Sequence, residues 1–184
     1  MRGRSMPKSM PKSMPMEPYQ FTRTASHQAW YTVVNALSGR FKKFPVDYRV
    51  IPWTTFTDPE VARVGLNETG ARARDIAYEL TVFPLNGLDR AVADGARDGF
   101  IKILTVSGKE RIPGAMVVGA HAGELLAEYL TAMKHKLGLN KILDTIHAYT
   151  ACSDASKPAA GGKKRGHTPA RVLSWPERYH RWHL

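Results

Sequence analysis

Side chains that could act as acids, bases or nucleophiles are concentrated in one short stretch near the end of the chain, residues 146–154 (IHAYTACSD). His147 has a side chain that titrates near neutral pH and suits acid–base work, yet a single histidine beside an apolar residue is more often a hydrogen-bonded structural group. Tyr149, with an ordinary pKa of about 10, is a poor base at neutral pH. Cys152 lacks a resolving cysteine and an evident basic neighbour, so we expect an inert thiol.

Two motifs that would mark a complete redox enzyme are absent from the 184 residues. No Gly-x-Gly-x-x-Gly sequence opens a strand–helix–strand unit, and Cys152 is the only cysteine, so no redox dithiol can form. A structural zinc site needs four ligands at defined spacings, and we predict no metal site. Gly119 and Gly123 lack the Lys and Ser/Thr of a phosphate-binding loop and predict close strand-to-helix packing instead.

The net charge of +11 suggests an anionic partner such as nucleic acid. Its distribution weakens that inference. Residues 1–16 carry +4 and residues 163–184 carry +5, which leaves only +2 for residues 17–162. The middle of the chain therefore shows no excess of basic residues, and we expect that nucleic acid is not the main partner.

The length of 184 residues and the hydrophobic content of 43% are typical of one domain with a buried core. No apolar run approaches the ~18–20 residues of a membrane span, and the start of the chain lacks the apolar stretch of a signal peptide. A single cysteine fits a reducing compartment. We therefore expect a cytoplasmic protein without a membrane partner.

The elements before residue 75 are predicted from capping residues and alternation. Residues 25–37 have helical length, with Thr24 or Ser26 as the N-cap and Gly39 as the stop. Residues 46–57 alternate like a strand, and Asp58-Pro59 has the form of a capped helix start, which predicts a short helix there. Asn67 is expected to cap a second helix that carries a Glu68–Arg72 pair at i,i+4.

The elements after residue 75 form a meander followed by a helix. Residues 78–83 alternate as a strand, and residues 99–106 and 112–118 are two apolar runs around a polar turn, which predicts a β-hairpin. Residues 122–137 carry one apolar helical stripe formed by Leu126, Leu130, Met133 and Leu137, and Gly138 is expected to end this helix. The order of helix, strands and helices predicts an α+β fold with an antiparallel β-sheet packed with α-helices.

Several of these segments, taken in order, resemble a known family. They are residues 21–22, 51–60 (IPWTTFTDPE), 62–65, 88–91, 99–102 and 114–126. Their order and spacing resemble the C-terminal dimerisation domain of the pyridine nucleotide-disulfide oxidoreductase flavoproteins, the group that contains mercuric reductase and dihydrolipoamide dehydrogenase. The resemblance covers roughly residues 18–184 and implies a domain that builds a two-fold dimer interface.

The resemblance also implies cofactors and a domain plan. The parent family uses FAD and NAD(P), and residues near Thr24 and Ala25 match a helix start that points at the flavin, where a helix dipole suits an electron-rich ring. The resemblance implies a remnant of the flavin domain (18–45) and the dimerisation domain (46–162). The short repeat at the start of the chain predicts a disordered Met/Pro/Lys/Ser arm (1–17), and the near-helical spacing of apolar and basic residues at its end predicts a basic amphipathic C-terminal helix (163–184). With no flavin or nucleotide domain in the sequence, we expect the chain alone to bind neither cofactor and to be inactive, as the product of a truncated or split gene or as a fragment of a longer enzyme.

Near the end of the chain the resemblance assigns site residues. Relatives such as lipoamide dehydrogenase carry a His-Pro-Thr-x-x-Glu motif whose histidine serves the partner subunit's dithiol. In this chain Tyr149 falls at the histidine position and Asp154 at the glutamate position, with His147 two residues earlier. The resemblance thus implies His147, Tyr149 and Asp154 as catalytic candidates. Mercuric-reductase-like members also carry tyrosine there, which favours that branch.

Two classes of function follow from these observations. The first is the dimerisation domain of a FAD-dependent disulfide oxidoreductase, which pairs as a homodimer or as a mixed dimer with a full-length homologue. The second is a non-enzymatic module that uses the basic ends to bind nucleic acid.

Overall fold

The structure is a computed structural model that describes residues 21–167, with side chains up to residue 163. The predicted N-terminal arm and almost all of the predicted C-terminal helix lie outside the described residues. The chain divides into two compact units, with the boundary between Asp47 and Tyr48.

In the first unit, helix α1 spans Thr22–Ser38. The predicted N-caps, Thr24 and Ser26, are wrong because both lie inside the helix: Phe21 is the N-cap, and no side chain caps it. After the helix, the Asn35 amide accepts a hydrogen bond from the Phe44 N–H at 2.8 Å and donates one to the Phe44 carbonyl at 2.9 Å. These two bonds fold the following segment back along the helix.

The second unit is built on a five-stranded antiparallel sheet, which confirms the predicted α+β class. Its strands lie in the order β1-β2-β5-β4-β3. They are β1 (Pro52–Thr55), β2 (Glu60–Gly65), β3 (Tyr78–Pro84), β4 (Phe100–Val106) and β5 (Gly114–Gly119). The predicted hairpin is the antiparallel β4–β5 pair.

The helices of this unit are short except for two. They are α2 (Glu68–Ala73), α3 (Asp89–Ala93), α4 (Ala122–Lys134), α5 (Leu139–Asp144) and α6 (Ser156–His167). Helix α4 packs on β2 and β5, and α6 packs on β3 and β4. Alternating side chains of the strands fill the core beneath these helices because successive residues of a strand point to opposite faces. The fully buried members include Ala62, Val64, Ile101, Ile103 and Val117.

The predicted helix after Asp58-Pro59 is wrong, because the chain continues as strand β2. The sequence EVARVG alternates, and Ala62 and Val64 are buried in the core. The strand is paired on both sides, with β1 and with β5. Pairing of that extent outweighs a local helix-start signal, since helical stability in proteins comes mainly from tertiary packing.

The predicted end of α4 at Gly138 is also wrong. Lys136 adopts the left-handed conformation (φ 57°), the Leu137 N–H bonds to the Ala132 carbonyl at 2.8 Å, and the Lys136 N–H bonds to the Met133 carbonyl at 3.3 Å. This is a Schellman ending in which lysine takes the place usually held by glycine. Gly138 instead precedes α5 as its N-cap.

The predicted apolar stripe of α4 is correct only in part. Leu126 is fully buried, and Leu130 and Met133 are partly buried against the core, but Leu137 lies beyond the helix and is exposed. The other buried side chains of the helix are Ala122, Leu125, Tyr129 and Ala132.

Asn67 caps α2 as predicted, since its Oδ1 accepts the Gly70 N–H at 2.8 Å. The Glu68 carboxylate bonds to a residue of strand β4, and Arg72, its predicted i,i+4 partner, acts on it through its charge. Lys102 Nζ lies 2.8 Å from Glu68 Oε1, and this pairing, together with the helix backbone, lowers the pKa of the Glu68 carboxyl.

Gly114 offers a test of this packing, because a Cβ there would lie 1.9 Å from the Leu66 carbonyl oxygen. We expect Gly114→Ala to lower the free energy of unfolding by about 1–3 kcal/mol or more, since backbone atoms would have to move. The control is Gly87→Ala, where a Cβ meets nothing within 4 Å, and which should change stability by no more than about 1 kcal/mol. Urea unfolding of both variants measures the difference, and equal effects would contradict the packing described.

Candidate functional site

The stretch that carries the predicted site residues connects α5 to α6. It leaves α5 at Thr145, whose hydroxyl donates to the Lys141 carbonyl at 2.8 Å, and it ends in a 3-10 turn, Cys152–Ala155, directly before α6. Residues 145–150 have no regular secondary structure. We refer to residues 145–150 as the site segment.

Polar and apolar side chains exchange their usual places in the site segment. Ile146 is 92% exposed and Tyr149 is 76% exposed, whereas the His147 side chain is only 5% exposed. Apolar side chains normally go inside and polar ones outside, so a buried imidazole between two exposed apolar groups needs a specific cause.

His147 is buried against helix α4. Its Nε2 lies 2.9 Å from Oε1 of Glu128, which is partly buried. A carboxylate only accepts hydrogen bonds, so Nε2 is the donor. His147 Nδ1 and Glu128 Oε2 are both buried and have no hydrogen-bond partner among the described residues.

Tyr149 is held by a residue from a different part of the chain. Its hydroxyl donates a 3.0 Å hydrogen bond to Oδ2 of Asp89, in the first turn of α3. The Asp89 carboxylate raises the pKa of the Tyr149 phenol, because it accepts a bond from the neutral phenol and repels the phenolate. At neutral pH this side chain therefore holds an even smaller fraction of phenolate, the form that could accept a proton, than an ordinary tyrosine.

Asp154 and Cys152 lie in the 3-10 turn that follows the site segment. Asp154 is half-buried and contributes to the raised pKa of Tyr149, but the Tyr149 hydroxyl bonds to Asp89 rather than to Asp154. Burial raises the pKa of the Cys152 thiol, and the Asp94 carboxylate adds to this effect. The Cys152 thiol therefore favours its protonated form, which is unreactive.

Thr24 and Ala25, the candidates for flavin contact, belong to the first unit. Both lie in the first turns of α1, which carries no acidic residue in its first turn and no side-chain cap. The N-terminal N–H groups of such a helix can attract an electron-rich group. Beyond that, the described residues of this unit show no further feature aimed at a flavin.

The order of strands and helices, and the location of the site segment after the sheet, agree with a known family. Residues 51–160 match the family described as "Pyridine nucleotide-disulphide oxidoreductase, dimerisation domain". This chain belongs to that family. The matched range contains all five strands of the dimerisation domain and the whole site segment.

Curated relatives of the dimerisation domain carry the name dihydrolipoyl dehydrogenase. The chain is 38% identical to the one from Chlamydia muridarum over 74% of its own length and 29% of the relative's. It is 40% identical to the one from Trypanosoma brucei brucei over 62% of its length and 24% of the relative's. The chain thus spans about three tenths of the length of the first of these relatives.

Solved structures show the same fold. LpdA from Mycobacterium tuberculosis superposes with a TM-score of 0.70 at 26% identity, over 80% of this chain and 31% of that one. The HOCl-induced flavoprotein disulfide reductase RclA from Escherichia coli superposes with a TM-score of 0.71 at 22% identity, over 77% and 32% of the two chains.

Two residues of the site were missed by sequence reasoning. Glu128 lies 19 residues before His147, and Asp89 lies 60 residues before Tyr149. Periodicity marks which face of a helix is buried, but it does not pair residues that are far apart in sequence. Asp89 does fall within residues 88–91, one of the segments that carried the family resemblance.

Two negative observations apply to residues 21–167. This part of the chain has no group of three or more His, Cys, Asp or Glu side chains placed to hold a metal ion. It also has no helix with the length and hydrophobicity needed to cross a membrane.

The Tyr149–Asp89 bond can be tested by titration. Asp89→Asn removes the negative charge but leaves an acceptor, so we expect the pKa of Tyr149 to fall toward its ordinary value. The titration is followed by NMR of ring-labelled tyrosine, with Tyr149→Phe used to assign the signal. A Tyr149 pKa that is the same in Asp89→Asn and in the parent chain would show that the two side chains are not in contact.

Proposed function

We propose that this chain forms two-fold homodimers and that the site segment lies in the dimer interface. The observation that carries the proposal is the exposure of Ile146 and Tyr149 in a member of a dimerisation-domain family. When a second copy covers large side chains that are held outward, their burial stabilises the dimer by about 25 cal/mol per Å² of apolar surface.

A second apolar surface is the face of the sheet opposite α4 and α6. Leu80 and Val82 of β3 and Trp53 of β1 are exposed there. The Arg63 guanidinium stacks over the Trp53 ring at 4.7 Å, and Lys102 also lies on this face. Two copies that met at the middle of this face would have to remove water from the Arg63 guanidinium and from the Lys102–Glu68 ion pair, which is costly. We therefore place the homodimer interface at the site segment rather than on this face.

The parent class that we propose is a FAD-dependent disulfide oxidoreductase. Support comes from the family match and from relatives named dihydrolipoyl dehydrogenase. The narrower expectation of a mercuric-reductase-like parent rests on Tyr149 alone and gains no support from the names of these relatives. We propose the class no more narrowly than that.

We propose that this chain contributes little to cofactor binding. FAD and NAD(P) belong to the parent class, and RclA is described as a flavoprotein. Among residues 21–167, the uncapped start of α1 near Thr24 and Ala25 is the feature that suits an electron-rich ring. FAD bound in a parent assembly would supply electron transfer between nicotinamide and disulfide, and α1 would contribute its positive end to the pyrimidine side of the ring.

The site residues receive different proposed roles. Tyr149 and Asp154 are proposed to line the partner subunit's site, with Tyr149 oriented by Asp89. For His147 we favour a structural role over proton transfer, because its Nε2 is engaged by Glu128 and the ring is buried. A mixed dimer with a full-length homologue would use the same surface. The alternative of a nucleic-acid-binding module gains no support, since nearly all of the basic residues at the two ends that motivate it lie outside the described residues.

Substitution of Ile146 tests the location of the interface. We expect Ile146→Glu to weaken the dimer by about tenfold or more, since it puts a charge where an apolar side chain would be buried. The matched control is Val82→Glu, which changes an exposed apolar residue of the sheet face and should leave dimerisation unchanged. Sedimentation velocity over a concentration series gives the dissociation constants. A dimer weakened by Val82→Glu and not by Ile146→Glu would place the interface on the sheet.

A further inference from the structure

We infer that His147 and Glu128 form a positioning pair, which fixes the site segment so that Ile146 and Tyr149 face outward. This inference rests on the proposed function for its consequence, the formation of the dimer. Its structural part stands on the contacts of one chain. It assigns His147 a positioning role and brings in Glu128, which sequence reasoning did not single out.

Side chains along the site segment point in opposite directions. His147 points inward while Ile146 and Tyr149 point outward. Without a partner for the imidazole, the lower free energy would belong to the reverse arrangement, with Ile146 buried and the histidine in water. The hydrogen bond to Glu128 supplies the compensation for burying the ring.

Glu128, which supports His147, lies on a rigid element. Glu128 lies on α4, where its neighbours Leu125, Leu126 and Tyr129 are buried in the core. A carboxylate on such a helix has a fixed position, and the 2.9 Å contact transmits that position to the segment. A side chain held on a packed helix orients its partner better than one held on a loop.

Breaking the contact between His147 and Glu128 would be unfavourable. Glu128 Oε2 and His147 Nδ1 already lack partners among the described residues. Loss of the single bond between the two side chains would leave a partly buried carboxylate and a buried imidazole unsatisfied, which is unfavourable. The segment would then turn the imidazole to solvent, which would move Tyr149 away from Asp89.

The pKa of Tyr149 reports the orientation of the segment, because it is raised by the contact with Asp89. We expect Glu128→Ala to lower this pKa to the value seen in Asp89→Asn, and to weaken the dimer by about tenfold or more. Glu128→Gln keeps an acceptor for Nε2 and should restore the parent values of both. Glu124→Ala is the matched control, since Glu124 lies on the same helix, is exposed, and has His121, at 3.5 Å, as the ion-pair partner of its carboxylate.

An unchanged Tyr149 pKa in a folded Glu128→Ala chain would overturn the inference. A second measurement needs no variant and applies even if Glu128→Ala does not fold. The ¹⁵N NMR spectrum of the parent chain should show His147 protonated at Nε2. A ring protonated only at Nδ1 could not donate to Glu128 and would also overturn the inference.

The same set of measurements separates this inference from the proposed function. A parent chain that stays monomeric, but whose Tyr149 pKa responds to Glu128→Ala, would refute the homodimer and support the pair. A dimer whose affinity and Tyr149 pKa are both unaffected by Glu128→Ala would support the homodimer and refute the pair.

Discussion

The packing of helix α4 on strands β2 and β5 is the contact on which the rest of the dimerisation domain depends. The helix buries Leu125, Leu126 and Tyr129 against the sheet, and its N-terminal end is tied to β2 because the Gly123 N–H donates to Glu60 Oε2 at 3.2 Å. Burial raises the pKa of the Tyr129 phenol, as expected for a fully enclosed hydroxyl. The outer side of the same helix carries Glu128. The buried face therefore fixes the helix, and the helix fixes the group that orients the site segment.

Much of this fold follows from the sequence where one local pattern dominates. The strands after residue 75 alternate clearly, and the structure pairs them as the pattern predicts. Local signals fail where long-range contacts compete with them. Asp58-Pro59 has the form of a helix start, but pairing with two neighbouring strands makes the following residues a strand. Gly138 is the expected helix stop, yet Lys136 takes the left-handed position because the carbonyls of the last turn are satisfied there.

The candidate site could be located from the sequence but its internal contacts could not. The stretch around His147 stands out by its residue types and by the family resemblance. Its partners, Glu128 and Asp89, come from two other elements and are separated from it by many residues. Only the fold brings them together, and it changes the meaning of the residues: the histidine is engaged and buried, and the tyrosine is the exposed group.

We propose that two copies of this chain meet at the site segment, and contacts between the copies test this most directly. A mixture of ¹³C-methyl-labelled and unlabelled chains can be studied by isotope-filtered NOE spectroscopy. We expect NOEs from the Ile146 methyl groups of one copy to protons of the other. A dimer whose intermolecular NOEs come from the face of the sheet around Val82, with none from Ile146, would contradict it.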